Sequence, residues 1–196
     1  MENFSVYNED EFFKKIVENK RLQKSLIQTI FLQNGSLKIL HNEHEIELKS
    51  NDVFFPDPDK SYKIIEKSED LKLLNLVLTK KILDTSIIDL SGQEYNHFFS
   101  PNRINVYHFN DNEFLSILTL LLQLKARLQE KSTKFVRYIQ YNLFYAIVYT
   151  TFSELSKQQT IIVREGTRKD EIVTHFLADL NESYSKNRDA KFYAAR

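Results

Sequence analysis

An α+β chain, strands first and helices after, is predicted by three observations. Short apolar runs separated by polar turns occupy residues 25–78, glycine and proline vanish from the two long stretches after Asn110, and the spacing of apolar residues there changes from alternation to helical recurrence.

The strand region is read first. "SLIQTIFLQ" opens it, and alternation in "SLKIL" and "EIELK", punctuated by Asn34-Gly35 and by "HNEHE", predicts antiparallel strands joined by tight hairpins. "DVFF" follows. "FFPDPDKSY" is a turn at a strand end, because two prolines remove ladder donors, and "YKII" and "LKLLNLVL" complete the set. Six short strands in so few residues predict a small barrel or sandwich.

Asn110 with Glu113 forms a capping-box start for a helix in which Phe114, Leu118, Leu121, Leu122 and Leu128 recur at helical spacing. A second helix is expected from about Ser132 to Leu155, with Phe135, Ile139, Leu143, Ala146 and Ile147 on one side. "KQQTIIVREGT" reads as a linker. A third helix carries Ile172, Val173, Phe176, Leu177, Leu180 and Tyr184. After the polar "SKNRD" comes "RDAKFYAAR", where Asp189 is a good N-cap for a helix of about seven residues, too short to stand alone. The expectation is that this chain is the front part of something longer.

The first helix pair carries more apolar faces than a helix packed on a barrel needs. Leu115, Leu122 and Leu124, with Tyr138, Tyr141, Phe144, Tyr145 and Tyr149, are left looking for partners. A thick intramolecular core competes with a homodimer through residues 111–155, for which Leu115, Leu122, Tyr138, Tyr141 and Tyr145 are the candidate interface residues.

Composition narrows the chemistry. Of 196 residues, 42% are hydrophobic and 13% aromatic, with three glycines and three prolines, as in an ordered globular chain. Lysine plus arginine and aspartate plus glutamate each number 27, so no overall field gathers phosphates. The absence of cysteine excludes disulfides and Cys-ligated metals. The acidic start lacks a secretory pattern, and "FLSILTLLLQL" is too short to span a bilayer, so a cytoplasmic protein without membrane attachment is expected.

Phosphate-loop, nucleophile-elbow, zincin and dinucleotide patterns are all absent. "HNEHEIE" offers His41, Glu43, His44, Glu45 and Glu47, ligands in type. Along a strand, however, side chains alternate faces, and a tight hairpin points such groups into water, so a solvated tip is expected and no metal site. His97 and His175 stand alone.

The stretch "IFLQNGSLKILHNEHEIELKSNDVFFPDPDKSY" resembles the sensor half of AraC-type transcription regulators, a small cupin barrel. Gly35 holds that pattern's first glycine, "HNEHE" its hairpin, Asn51-Asp52 its Gly-Asp, "VFF" its apolar triplet and "PDP" its proline turn, while Tyr62 stands where metal-binding cupins place a histidine. "EIVTHFLADLNESYSKNRDAKFYAAR" is similar to the first helix of the AraC-type DNA-binding domain and the start of its first helix-turn-helix, with Tyr193-Ala194 matching a Phe/Tyr-Ala pair.

The resemblance implies a cupin-like barrel over residues 1–109, a helical dimerisation segment over 110–156, a linker over 157–167 and the start of a DNA-binding domain over 168–196. It implies an effector-sensing regulator rather than an enzyme, with no cofactor, a homodimer, a small effector such as a sugar or metabolite, and DNA read by a domain beyond this segment. A metal-dependent cupin enzyme is the alternative from another class. A cyclic-nucleotide sensor ranks lower, since no arginine of a phosphate cassette lies in the barrel stretch. Phe31, His41, Phe55 and Tyr62 are the ligand candidates by their places on the strands and at the rim, against a competing role as core filling.

Overall fold

The computed structural model describes residues 4–18, 26–41, 43–57, 60–79 and 105–157. These residues belong to one compact unit, Met1–Ile88 with Ile104–Gln159, and the other unit, Asp89–Arg103 with Thr160–Arg196, lies outside the described residues. Outside them therefore fall the linker from residue 158 on, the third helix, the terminal helical stub, His97 and His175.

Eight strands and three helices are described. They run β1 (Phe4–Asn8), α1 (Glu9–Phe12, widening into a π-helical stretch Phe13–Val17), β2 (Leu26–Asn34), β3 (Ser36–His41), β4 (His44–Lys49), β5 (Asp52–Phe54), β6 (Tyr62–Lys67), β7 (Lys72–Thr79), β8 (Val106–His108), α2 (Asp111–Leu128) and α3 (Lys134–Lys157). The sheets are antiparallel, with orders β1-β7-β2-β5-β8 and β4-β3-β6. The α+β class and the strands-then-helices order agree with the sequence reading, but β1 precedes the predicted region.

Parity explains which side chains meet. Leu26, Ile30 and Leu32 of β2 join Leu73 and Val77 of β7, Leu37 and Ile39 of β3, and Ile46 and Leu48 of β4 in one core between the sheets. The alternate residues of the larger sheet face the other way. Phe4 pairs with Leu78, Leu78 with Ile27, and Leu74 with Phe31. The Phe4 ring stacks on Phe144 of α3 at 5.1 Å, so that face is the one turned toward the helices. The larger sheet is thus covered on both sides, and β2 and β7 read as near-continuous apolar runs.

The helix pair starts where the capping box predicts. Asn110 Oδ1 accepts from the Glu113 amide at 3.0 Å, and Glu113 Oε2 accepts from the Asn110 amide at 3.1 Å. Asn51 holds this start in place, donating from Nδ2 to Asp111 Oδ1 at 2.6 Å and accepting the Phe109 amide at 3.1 Å. Its φ of 68° is left-handed, a conformation open to glycine and tolerated by asparagine, so asparagine fits this turn without glycine.

Helix α3 buries Gln140, Phe144, Ile147, Thr151 and Leu155, and α2 buries Phe114, Ile117, Leu121 and Leu124. This corrects part of the expected stripe on α3: Ile147 is buried and Leu143 and Ala146 are half-buried, but Phe135 is 75% exposed and Ile139 also faces solvent, because the buried face is rotated around the helix toward Gln140, Phe144 and Thr151. Leu124 and Phe144, expected to lack partners, are fully buried. Gln140 Nε2 also donates to the Arg127 carbonyl at 2.8 Å, a second bond beside the Glu130 amide that ties α3 to the end of α2.

Candidate functional site

The space between the sheets is apolar except for one polar group of side chains. Gln28 of β2 and Asn75 of β7 interrupt their apolar runs on the inward face, since Gln28 is opposite Val77 and Asn75 is opposite Ile30. Tyr62 enters from the smaller sheet. Its hydroxyl donates to Gln28 Oε1 at 2.9 Å, and Asn75 Nδ2 donates to the same oxygen at 3.3 Å. Burial pushes the Tyr62 phenol far above its usual range, so it remains a neutral donor.

His41 lies beside this group. It is the cross-strand partner of Tyr62, with ring centroids 6.3 Å apart, and meets Phe54 edge-on at 5.7 Å. Its Nε2 accepts the Asp57 amide at 3.2 Å, which leaves the proton on Nδ1. Within hydrogen-bond geometry no partner reaches Nδ1 or Asn75 Oδ1 among the described residues, although both atoms are buried; the Ser61 carbonyl acts on the His41 ring without meeting that geometry at Nδ1. Burial holds His41 below the usual imidazole range. The Asp57 carboxylate and the Ser61 carbonyl oppose this, while Lys60 adds to it.

One wall of this group is helical. Phe12 stacks over Tyr62 at 6.3 Å, and Ile16 joins the same core. Asn8 and Glu11 form a capping box that starts α1, and Glu11 also receives Lys15 at 3.2 Å and Lys125 of α2 at 3.0 Å. Lys125, the Asn8 amide and Lys15 together hold the Glu11 carboxyl below its ordinary range despite burial.

Two of the four ligand candidates therefore come together and two do not. His41 and Tyr62 share the interior. Phe31 lies on the helix-facing side of β2, opposite Val53 and Leu74, while Phe55 packs against Tyr107 and stacks on Phe152 of α3 at 6.5 Å. His41 also departs from the solvated tip expected of "HNEHEIE": it is buried, whereas His44, Glu45 and Glu47 are exposed. Gln28 and Asn75 are the residues that sequence reading missed, and a lone amide at an inward position of an apolar run was the available signal.

Of the interface candidates, Leu115, Leu122 and Tyr138 are at least half exposed. Tyr141 instead meets Phe4 edge-on at 5.3 Å, and Tyr145 lies half-buried beside Phe144. Phe135, Ile139 and Tyr149 add to the exposed set. No group of three or more His, Asp or Glu side chains placed to hold a metal occurs among the described residues. No helix among them is long and apolar enough to cross a membrane.

No family model and no curated protein matches the sequence. Among solved structures, the AraC-like transcriptional activator CuxR is similar over 97% of this chain and 61% of its own, with 10% identity and a TM-score of 0.47. ToxT from Vibrio cholerae O395 is similar over 98% of this chain and 69% of its own, with 8% identity and a TM-score of 0.43. These similar structures are AraC-like regulators. The chain spans about three-fifths of the length of the CuxR chain. At 10% and 8% identity, function has to be read from this chain's own side chains.

The buried imidazole has a measurable consequence. Folding disfavours a proton that the unfolded chain accepts near 6.5, so the unfolded state binds more protons and stability falls as pH falls from about 7 to about 5. Urea midpoints across that range should decline more steeply for the parent than for His41→Gln, and parallel curves would contradict it. Glu11, whose carboxyl is lowered from 4.5, contributes stability that is lost only at lower pH, so the two windows separate.

Proposed function

We propose that this chain is the effector-sensing and dimerisation region of an AraC-type transcription regulator. The two facing sheets serve as a cupin-like sensor barrel whose interior holds the effector. The helices α2 and α3 serve as the dimer contact. Residues 168–196 open a helix-turn-helix domain that reads DNA.

The observation that carries this reading is the outer face of α3. From Tyr138 to Ser153 the helix has no charged residue, although Tyr138, Ile139 and Tyr149 face solvent. An exposed helix in water ordinarily presents charge there, whereas interface cores lose charge and gain aromatics. Leu115 and Leu122 of α2 add exposed apolar surface. A second copy of the chain offers the same uncharged surface, and a two-fold contact would cover both at once. The neutral balance of 27 basic and 27 acidic residues suits a sensing module that leaves phosphate contacts to its reader.

Light scattering on the purified chain tests the reading. A dimer mass is expected, with Leu122→Glu and Tyr149→Glu shifting it to monomer while the melting temperature of each monomer stays close to that of the parent. A monomer mass for the parent at high concentration, or dimers in both variants, would contradict it.

A further inference from the structure

The polar group between the sheets has two hydrogen-bonding positions left over, a donor at His41 Nδ1 and an acceptor at Asn75 Oδ1. They stand on opposite sheets, with Tyr62 and Gln28 between them. Buried polar atoms are nearly always paired, and each one left unpaired costs stability, so two in one core call for a reason. A purely structural core would place leucine at residue 75, as it does at Leu73, two residues earlier on the same face.

The charges around this group restrict what could satisfy it. No lysine or arginine is buried among the described residues, and the buried charges are the acids Asp52 and Asp57. Asp57 lies beside His41 and already faces Lys60 at 3.8 Å, while Asp52 accepts the Lys49 amide and faces His108. A carboxylate or phosphate ligand would enter with no counter-charge and close to an acid. A cation would meet the Nδ1–H donor head-on. Three aromatic rings, Phe12, Phe54 and Tyr62, offer flat apolar walls.

We propose that the interior between the sheets binds a small uncharged molecule, of about one or two rings, that accepts a hydrogen bond from His41 Nδ1 and donates one to Asn75 Oδ1. This rests on the sensor reading above and names the class of its effector. The site is closed, and of these three aromatic walls Phe12 is the one borne by a helix instead of a strand.

Three matched panels, used in thermal-shift measurements on the full chain, test it: uncharged aldoses, nucleobases and aromatic amides; sugar phosphates and aromatic carboxylates; and aromatic amines. An uncharged member is expected to raise the melting temperature. That rise should disappear in Asn75→Leu and in His41→Phe, which keeps the ring and removes the donor. Asn75→Leu without ligand should melt no lower than the parent, because it removes an unpaired buried carbonyl. A residue kept only for structure would give the opposite result, a clear fall.

Stabilisation only by charged compounds would overturn the ligand class and leave the sensor reading standing. An uncharged hit whose shift survives in both variants would overturn the site. Stabilisation by no panel would overturn the proposal, with the regulator reading then decided by the dimer measurement. Should Asn75→Leu fail to fold, Asn75 is structural and the acceptor half of the proposal falls, while His41→Phe still reports on the donor half.

Discussion

Phe144→Ala is expected to lower folding stability by about 4 kcal/mol, the range for emptying a fully buried phenylalanine site. The ring has no solvent exposure, stacks on Phe4 of β1 and lies against Tyr145. It therefore joins the outer face of the larger sheet to the helix pair, and neither surface can close the gap alone. Phe135→Ala is the internal control. That ring is 75% exposed, so its loss should change stability by less than about 0.5 kcal/mol in a monomer. Urea unfolding of both variants checks the pair of outcomes. Equal losses would mean that α3 buries a different face from the one described.

The same two phenylalanines mark where sequence reading succeeds and where it stops. That α3 is a helix was legible, because 24 residues pass without glycine or proline and apolar residues recur throughout. Which face it buries was not. Aromatics cover both Phe144 and the Phe135–Tyr138–Tyr149 side, so periodicity has no polar side against which to orient the helix. The hairpin β3–β4 shows the converse: Leu37 and Ile39 alternate with half-exposed Ser36, Lys38 and Leu40, and the pattern assigns their faces, although His41, which continues the buried parity, read as part of the solvated tip.

Strands covered on both sides lose that information. Phe31 and Ile30 are both buried, and only the pairing of Phe31 with Leu74, and of Leu78 with Phe4, tells which core each joins. Phe31 therefore looked like a pocket residue and belongs under the helices. The polar residues were more informative than the apolar ones. Within "LIQTIFL" and "LLNLVL", Gln28 and Asn75 are the amides on the inward parity, and parity alone would have brought them together. The capping box of Asn8 and Glu11 was equally present in the sequence as a signal for α1 and, before it, β1.

Gly35→Ala should cost about 3 kcal/mol, through two causes acting on the same turn. The residue joins β2 to β3 with φ of 78°, and an alanine held in that left-handed region loses roughly 1–2 kcal/mol. The added methyl would also collide with Ser68 Oγ, and would lie 2.9 Å from Asp70 Oδ1 and 3.0 Å from the Leu71 backbone. Ser68 cannot swing away without loss, because its Oγ accepts the Ser36 amide at 2.8 Å and its own amide donates to the Ser36 carbonyl at 3.0 Å. Asp70 is similarly engaged, receiving Asn34 Nδ2 at 3.0 Å. Giving up one such bond costs about 1 kcal/mol. Because this turn carries the chain from one sheet to the other and receives the start of β7, strain there loosens the interior that holds Tyr62 and Asn75. Gly35→Ala should therefore lower the urea midpoint and blunt any ligand-induced thermal shift together. Ser68→Ala separates the causes: it removes the colliding oxygen, so the double variant should recover part of the steric loss and none of the backbone loss. A Gly35→Ala protein as stable as the parent would mean that the turn relaxes freely, and that its left-handed glycine is not needed to set the β2–β3 crossing.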